Sequence, residues 1–212
     1  MEVLLSPESF TYEFIARPYG VYPYHCHVDP IADHINRGLY GVMIIDPKES
    51  RSEMTEFVMT MNAYDMNYDQ EGPSVIPSMD EIYSEDSEIE DERDNEIYTV
   101  NGKAFDYIMN PISIETGKSY QIYLVNMVEF DLVNSFHLHG NMFKYIVAGT
   151  DESPDFLTDV ITLGQGDRGI LEFKYDYPGK YMFHAHVTEF TDLGWMGFFM
   201  SRSNDCLFFP IL

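Results

Sequence analysis

A chain of 212 residues with 45% hydrophobic and 15% aromatic side chains is long enough to bury one large core or two small ones. Twelve Lys and Arg against 36 Asp and Glu leave a formal charge of −24, which repels nucleic-acid phosphates and anionic membrane headgroups alike and excludes both as partners. No run approaches the ~18 apolar residues that span a bilayer, and residues 1–7, which lead straight into strand-like sequence, do not read as an export leader.

In chain order, the signals are those of an all-β protein. Residues 10–15 (FTYEFI) are β-branched and aromatic and predict a first strand. Further strands are expected over 20–26, 39–45, 56–61, 119–125, 143–147, 169–175 and 180–184. Turn chemistry separates them: Asp46-Pro47, Asn101-Gly102, Thr116-Gly117-Lys118, Gly164-Gln165-Gly166-Asp167 and Tyr177-Pro178-Gly179-Lys180. Residues 30–37 alone suggest a short helical turn. Many short strands with Gly and Pro turns imply a sandwich or barrel. Residues 80–96 hold ten Asp or Glu and one Arg, a charge block too poor in apolar surface to order itself, so a solvated loop is expected there.

All seven histidines fall in three motifs: His25-Cys26-His27 with His34, His137-Leu138-His139, and His184-Ala185-His186. Side chains at i and i+2 of a strand share a face, so each pair can aim two imidazoles at one cleft. Six such nitrogens exceed the needs of one tetrahedral zinc. They suit a multinuclear site of an imidazole-binding metal, and copper heads the divalent affinity order. Cys26 points to the opposite face of its strand, where it can join His34 in a thiolate–imidazole site of the electron-transfer copper kind. Adjacent residues would then serve two metal centres. The remaining cysteine, Cys206, has no histidine neighbour, and the 13 scattered methionines read as core filler.

At these residues the sequence resembles the multicopper oxidase family, especially its small two-domain, laccase-like members related to copper nitrite reductases. The segments that carry the resemblance are Tyr22-Pro23-Tyr24-His25-Cys26-His27 through Gly41, Ser135-Phe136-His137-Leu138-His139-Gly140, and Gly179-Lys180-Tyr181-Met182-Phe183-His184-Ala185-His186. The resemblance implies cupredoxin-like Greek-key β-sandwich domains, one incomplete and one complete. Residues 1–50 would be the C-terminal part of the first domain, 51–203 the second with an acidic insert at about 69–96, and 204–212 a tail. It further implies copper of types 1, 2 and 3. Cys26 and His34 would hold the type 1 ion, with Leu39 as a non-ligand at the axial position. His25, His27, His139, His184 and His186 would hold the type 3 pair, and His137 the type 2 ion.

The family uses eight cluster histidines and a second type 1 histidine, whereas this chain offers six and one. The resemblance therefore implies an N-terminal truncation that removes three ligands. The activity it implies is oxidation of a small-molecule or metal-ion reductant with reduction of O2 to water. It also implies a homotrimer in the intact protein and an extracellular, periplasmic or cell-surface location. Glu189 and Asp192, just after the last pair, are candidates for a proton relay. A copper nitrite reductase and a non-catalytic copper-binding fragment are the alternative readings.

Overall fold

The computed structural model describes residues 9, 11–49, 51–66, 95–151 and 153–203. The tail after Ser203 and most of the acidic block lie outside them, as does Phe10. The described elements are mainly strands, as the sequence pattern predicts, with two short helices beyond the one expected at 30–37, and the cupredoxin-like sandwich is the architecture found.

The chain opens with a hairpin of β1 (Gly20–His25) and β2 (Tyr40–Ile45), bridged by the six-residue helix α1 (Ile31–Asn36). Its register pairs Val21 with Ile44, Pro23 with Val42 and His25 with Tyr40. A sandwich follows. One sheet has six strands in the order β4-β3-β6-β11-β8-β9: β3 is Thr55–Tyr64, β4 Ile97–Val100, β6 Ser119–Asn126, β8 Phe143–Val147, β9 Phe156–Thr158 and β11 Arg168–Lys174. The other has five in the order β10-β7-β12-β13-β5: β5 is Ile112–Glu115, β7 Val133–Leu138, β10 Val160–Gly164, β12 Gly179–His184 and β13 Met196–Arg202. Helix α2 (Asp106–Met109) lies between β4 and β5, and α3 (Thr188–Asp192) between β12 and β13.

Period-two alternation decides what each face meets. In β6, Tyr120, Ile122 and Leu124 enter the main core between the sheets, with Phe136, Leu138, Phe183, Trp195 and Phe199 from the five-stranded side. Tyr123 and Val125 of the same strand face outward, join Ile146 and Ile170, and receive Val21, Ile35, Tyr40, Val42 and Ile44 of the hairpin. Each fully buried large side chain of this kind contributes roughly 1.5–3 kcal/mol of transfer free energy. The six-stranded sheet is thus covered on both sides, while on the outer face of the five-stranded sheet Val133, Val160 and Thr162 are exposed among the described residues.

Two expectations need correction. Residues 11–15 form no strand, and Tyr12, Phe14 and Ile15 are 65–77% exposed. Strand propensity expresses itself only where a partner ladder and a packing surface exist, and residues 11–15 belong to none of the described sheets. The acidic block is not solvated to its end: Asn95 is buried and donates to Asp131 and to the Glu129 carbonyl.

Candidate metal centre

Two strands of the open face carry four imidazoles. In β7, Phe136 and Leu138 point into the core, so Ser135, His137 and the following His139 point out. In β12, Phe183 and the succeeding Ala185 are core, so His184 and His186 point out. The strands are antiparallel ladder neighbours with His184 opposite His137, and the His139 amide continues the ladder to Met182. Registration alone therefore merges the two motifs. Ring centroids lie 4.9 Å apart for His137–His139 and for His139–His184, 5.2 Å for His137–His184 and 5.3 Å for His137–His186. Ligating atoms of His137, His139 and His184 all fall within 4.8 Å of one another, and the Nε2 atoms of His139 and His184 are 2.9 Å apart. Two nitrogens each ~2.0 Å from one ion stand about 2.8 Å apart when they subtend a right angle.

The protonation chemistry fits a cation. His137 Nδ1–H donates to the Asp159 carbonyl at 2.8 Å and His184 Nδ1–H to the Ala185 carbonyl at 2.5 Å, which leaves Nε2 of each as the lone-pair nitrogen. Burial, with the neighbouring imidazoles adding to it, holds His139 and His184 below the usual histidine range. Neutral imidazole is the form that ligates. Gly140 takes φ +65°, which turns the chain away immediately after His139.

The hairpin presents the third motif. Cys26 Sγ is 3.1 Å from His34 Nδ1, on the last turn of α1, while the rings of His25 and His27 stack on the other side at 5.6 Å. β1 ends at His25, one residue before Cys26. Leu39 joins both halves through its backbone: its N–H donates to the His34 carbonyl and its carbonyl accepts from the Cys26 N–H. Its side chain is 58% exposed. His25 Nδ1–H donates to the Cys26 carbonyl at 2.7 Å, again freeing Nε2.

These two centres do not meet within one chain. His25 lines a cleft of about 300 Å³ with Ile35, Met127, Glu129, Gln165 and Gly166, next to Gly164, which pairs with Val133. His137 pairs with Val160 at the opposite end of the same two strands, four residues or about 13 Å away. The hairpin covers the six-stranded sheet, and the imidazole cluster lies outside the five-stranded one.

Glu189 and Asp192 are exposed on α3. The member of that helix that reaches the cluster is Thr191, whose buried hydroxyl lies 3.4 Å from His184 Nδ1 and donates to the Ala185 carbonyl at 2.5 Å. Sequence reasoning missed it, as it missed Ser135, which accepts from the His186 N–H, and Tyr175, which donates to the His139 carbonyl. A hydroxyl seven residues past the imidazole it reaches carries no signal until a helix is known to fold back.

The multicopper oxidase family model matches residues 75–205. A copper-containing nitrite reductase of Neisseria meningitidis is 28% identical over 182 residues, covering 83% of this chain and 44% of its own length. A multicopper oxidase of Staphylococcus aureus is 35% identical over 104 residues, covering 47% of this chain and 23% of its own. Among solved structures, a multicopper oxidase crystal structure is 44% identical with a TM-score of 0.79, covering 92% of this chain and 61% of that one. The chain thus spans less than half the length of the nitrite reductases it matches.

Proposed function

The chain belongs to the multicopper oxidase family, and from that premise we propose that it forms part of a copper oxidoreductase that takes electrons from a small-molecule or metal-ion reductant and passes them to O2. The observation that carries this reading is the alternation at His25-Cys26-His27, with Cys26 on His34 at 3.1 Å and two stacked imidazoles behind it. A thiolate and an imidazole are two of the three donors of an electron-transfer copper site, and the next residues on either side open onto a different face.

Bound copper would supply one-electron redox chemistry at the thiolate site and multi-electron delivery to oxygen at the imidazole sites. Cys26 and His34 are assigned to type 1 copper, with Leu39 beside it unable to coordinate. His137 is assigned to type 2 copper, and His139, His184 and His186, with His25 and His27, to the type 3 pair. The backbone carbonyls of Asp159, Ala185 and Cys26 fix the ring orientations of His137, His184 and His25, and Thr191 buttresses the second of these. Glu189 and Asp192 lie near enough in sequence to supply protons from solvent, and their exposure gives them free exchange with it.

The separation of the two imidazole groups on opposite sides of one sandwich supports a junction between copies of the protein at which the six imidazoles are brought together. The open outer face beside His186 suits such a contact: Val133, Val160 and Val187 are exposed there around a cleft of about 310 Å³. Within this reading residues 1–50 are the remnant of a first domain, and the protein works outside the cytoplasm.

Replacing Cys26 with Ser in the copper-loaded protein is the test. Loss of the thiolate-to-copper absorption with retention of the remaining copper is expected, and persistence of that band rules out the type 1 assignment. Nitrite reduction is a second reading, because three imidazoles within 4.8 Å also match a mononuclear copper site. His27 and His186, which complete pairs, favour oxygen. Oxygen uptake measured against nitric oxide release from nitrite separates the two.

A further inference from the structure

Beside the cluster lies a buried polar group that the oxidase reading leaves without a role. Tyr98 in β4 is 1% exposed, and its hydroxyl donates to Asp131 Oδ2 at 2.6 Å. Asn95, also buried, donates to the same oxygen at 2.6 Å and to the Glu129 carbonyl at 2.6 Å, which anchors the carboxylate. The Tyr98 ring lies flat on Phe190 of α3, with centroids 4.1 Å apart and planes at 15°, and its N–H donates to the Leu193 carbonyl. The residue after Phe190 is Thr191, which touches His184. The Trp195 backbone closes the loop, its amide donating to the Phe190 carbonyl and its carbonyl accepting from the Ala185 N–H. Tyr98 is therefore joined to the His184–His186 segment by one ring stack and a short hydrogen-bonded helix.

The partner type is the informative part. Tyr22, Tyr145, Tyr175 and Tyr181 all donate to backbone carbonyls, which satisfy a buried hydroxyl but cannot take its proton. Tyr98 donates to a carboxylate, which can. Tyr123 also has a carboxylate partner, Glu56 at 3.0 Å, but it lies under the hairpin on the other side of the sheet. Removing an electron from a buried phenol without moving its proton would leave a desolvated cation, a costly species in a low-dielectric interior. An acceptor already at hydrogen-bond distance removes that cost.

We propose that Tyr98 is a redox-active tyrosine that yields one electron to oxidised copper at the His137, His139, His184 and His186 cluster and transfers its phenolic proton to Asp131. The O–H bond of Tyr98 breaks and an O–H bond forms on Asp131 Oδ2. Copper(II) becomes copper(I), and Tyr98 becomes a neutral phenoxyl that accepts a hydrogen bond back from the protonated acid. An external reductant and return of the proton restore the pair. Asn95 positions the acceptor, and the charge of Glu189 reaches the same hydroxyl from the helix side. The inference rests on the copper-oxidase reading.

The experiment reduces the copper-loaded protein, mixes it with O2, freezes it within the turnover time and records its electron paramagnetic resonance alongside its copper content. A narrow organic radical that changes shape when the tyrosines are ring-deuterated is expected. Tyr98→Phe, which keeps the ring stack, loses that signal with copper content unchanged. Asp131→Asn, which keeps an oxygen acceptor but cannot take the proton, also loses it, and Tyr123→Phe retains it. A protein that binds no copper overturns the oxidase reading and this inference together. Bound copper with no tyrosine radical, or with a radical that persists in Tyr98→Phe and Asp131→Asn, overturns the inference alone.

Discussion

The same His-x-His spacing occurs on two very different supports. On β7 and β12 the histidines stand on interior strands of a five-stranded sheet, with Phe136, Leu138, Phe183 and Ala185 buried beneath them and ladder bonds on either side. On the hairpin, His25 ends a strand that belongs to a two-stranded sheet, and Cys26 and His27 follow it. Its inner face packs on Tyr123, Val125 and Ile170, but on its outer face Tyr24 and Leu39 are 62% and 58% exposed. An isolated two-stranded sheet is marginal in water. Equal motifs therefore carry unequal preorganisation: the sandwich fixes its imidazoles before any metal arrives, whereas the hairpin fixes only the side it leans on.

The largest effect that sharpens this contrast comes from under the cluster. Phe183→Ala leaves a void between Phe136, Trp195 and Phe199 and is expected to cost about 3–5 kcal/mol in urea unfolding. A loss near zero would mean that the core does not hold the imidazole-bearing strands. Thr191→Val comes next. Removing the hydroxyl that spans His184 and the Ala185 carbonyl should weaken copper binding about tenfold, measured by competition with a chelator. Thr191→Ser should restore it.

The pH response follows from the burial of His139 and His184. Their folded values are lowered from 6.5, so the folded metal-free chain binds fewer protons than the unfolded chain as pH falls through that value. Stability is accordingly full above pH 6.5 and declines as acid is added through the window between 6.5 and the lowered values. His184→Gln should flatten the slope of unfolding free energy against pH across that window. An unchanged slope would remove burial as the cause. The smallest expected change is on the hairpin's outer face, where Tyr24→Ala should alter stability by no more than about 0.5 kcal/mol. A large loss there would show that this face is covered in solution and would break the comparison.

Much of this was legible from side-chain order. The strands over 143–147 and 180–184 were marked by β-branched and aromatic runs between Gly and Pro turns, and they agree with the structure to within a residue. The pairing of His25 and His27 against Cys26 needed only the period of a strand. Other features needed three dimensions. β4, β5 and β9 are three or four residues long and carry too few alternations to stand out. The residues over 11–15 have strand composition but no ladder to join. The Tyr98–Asp131 pair spans 33 positions and arises from the approach of β4 to the start of β7. Nothing in the order of residues reveals that His25 and His137 lie on opposite sides of one sandwich, because the side on which the hairpin leans is set by the outward apolar residues of β6, β8 and β11.

That two-sidedness sets how copies can join. If the proposed assembly holds, a copy that offers His25 and His27 from one side and receives a neighbour's from the other would make a heterologous, head-to-tail junction, which either closes into a ring or runs on as a filament. Two variants, one damaged at His25 and one at His137, would each be dead alone, yet half of the junctions in a mixed ring between unlike neighbours would pair two undamaged partners. Activity regained on mixing would then count junctions rather than chains.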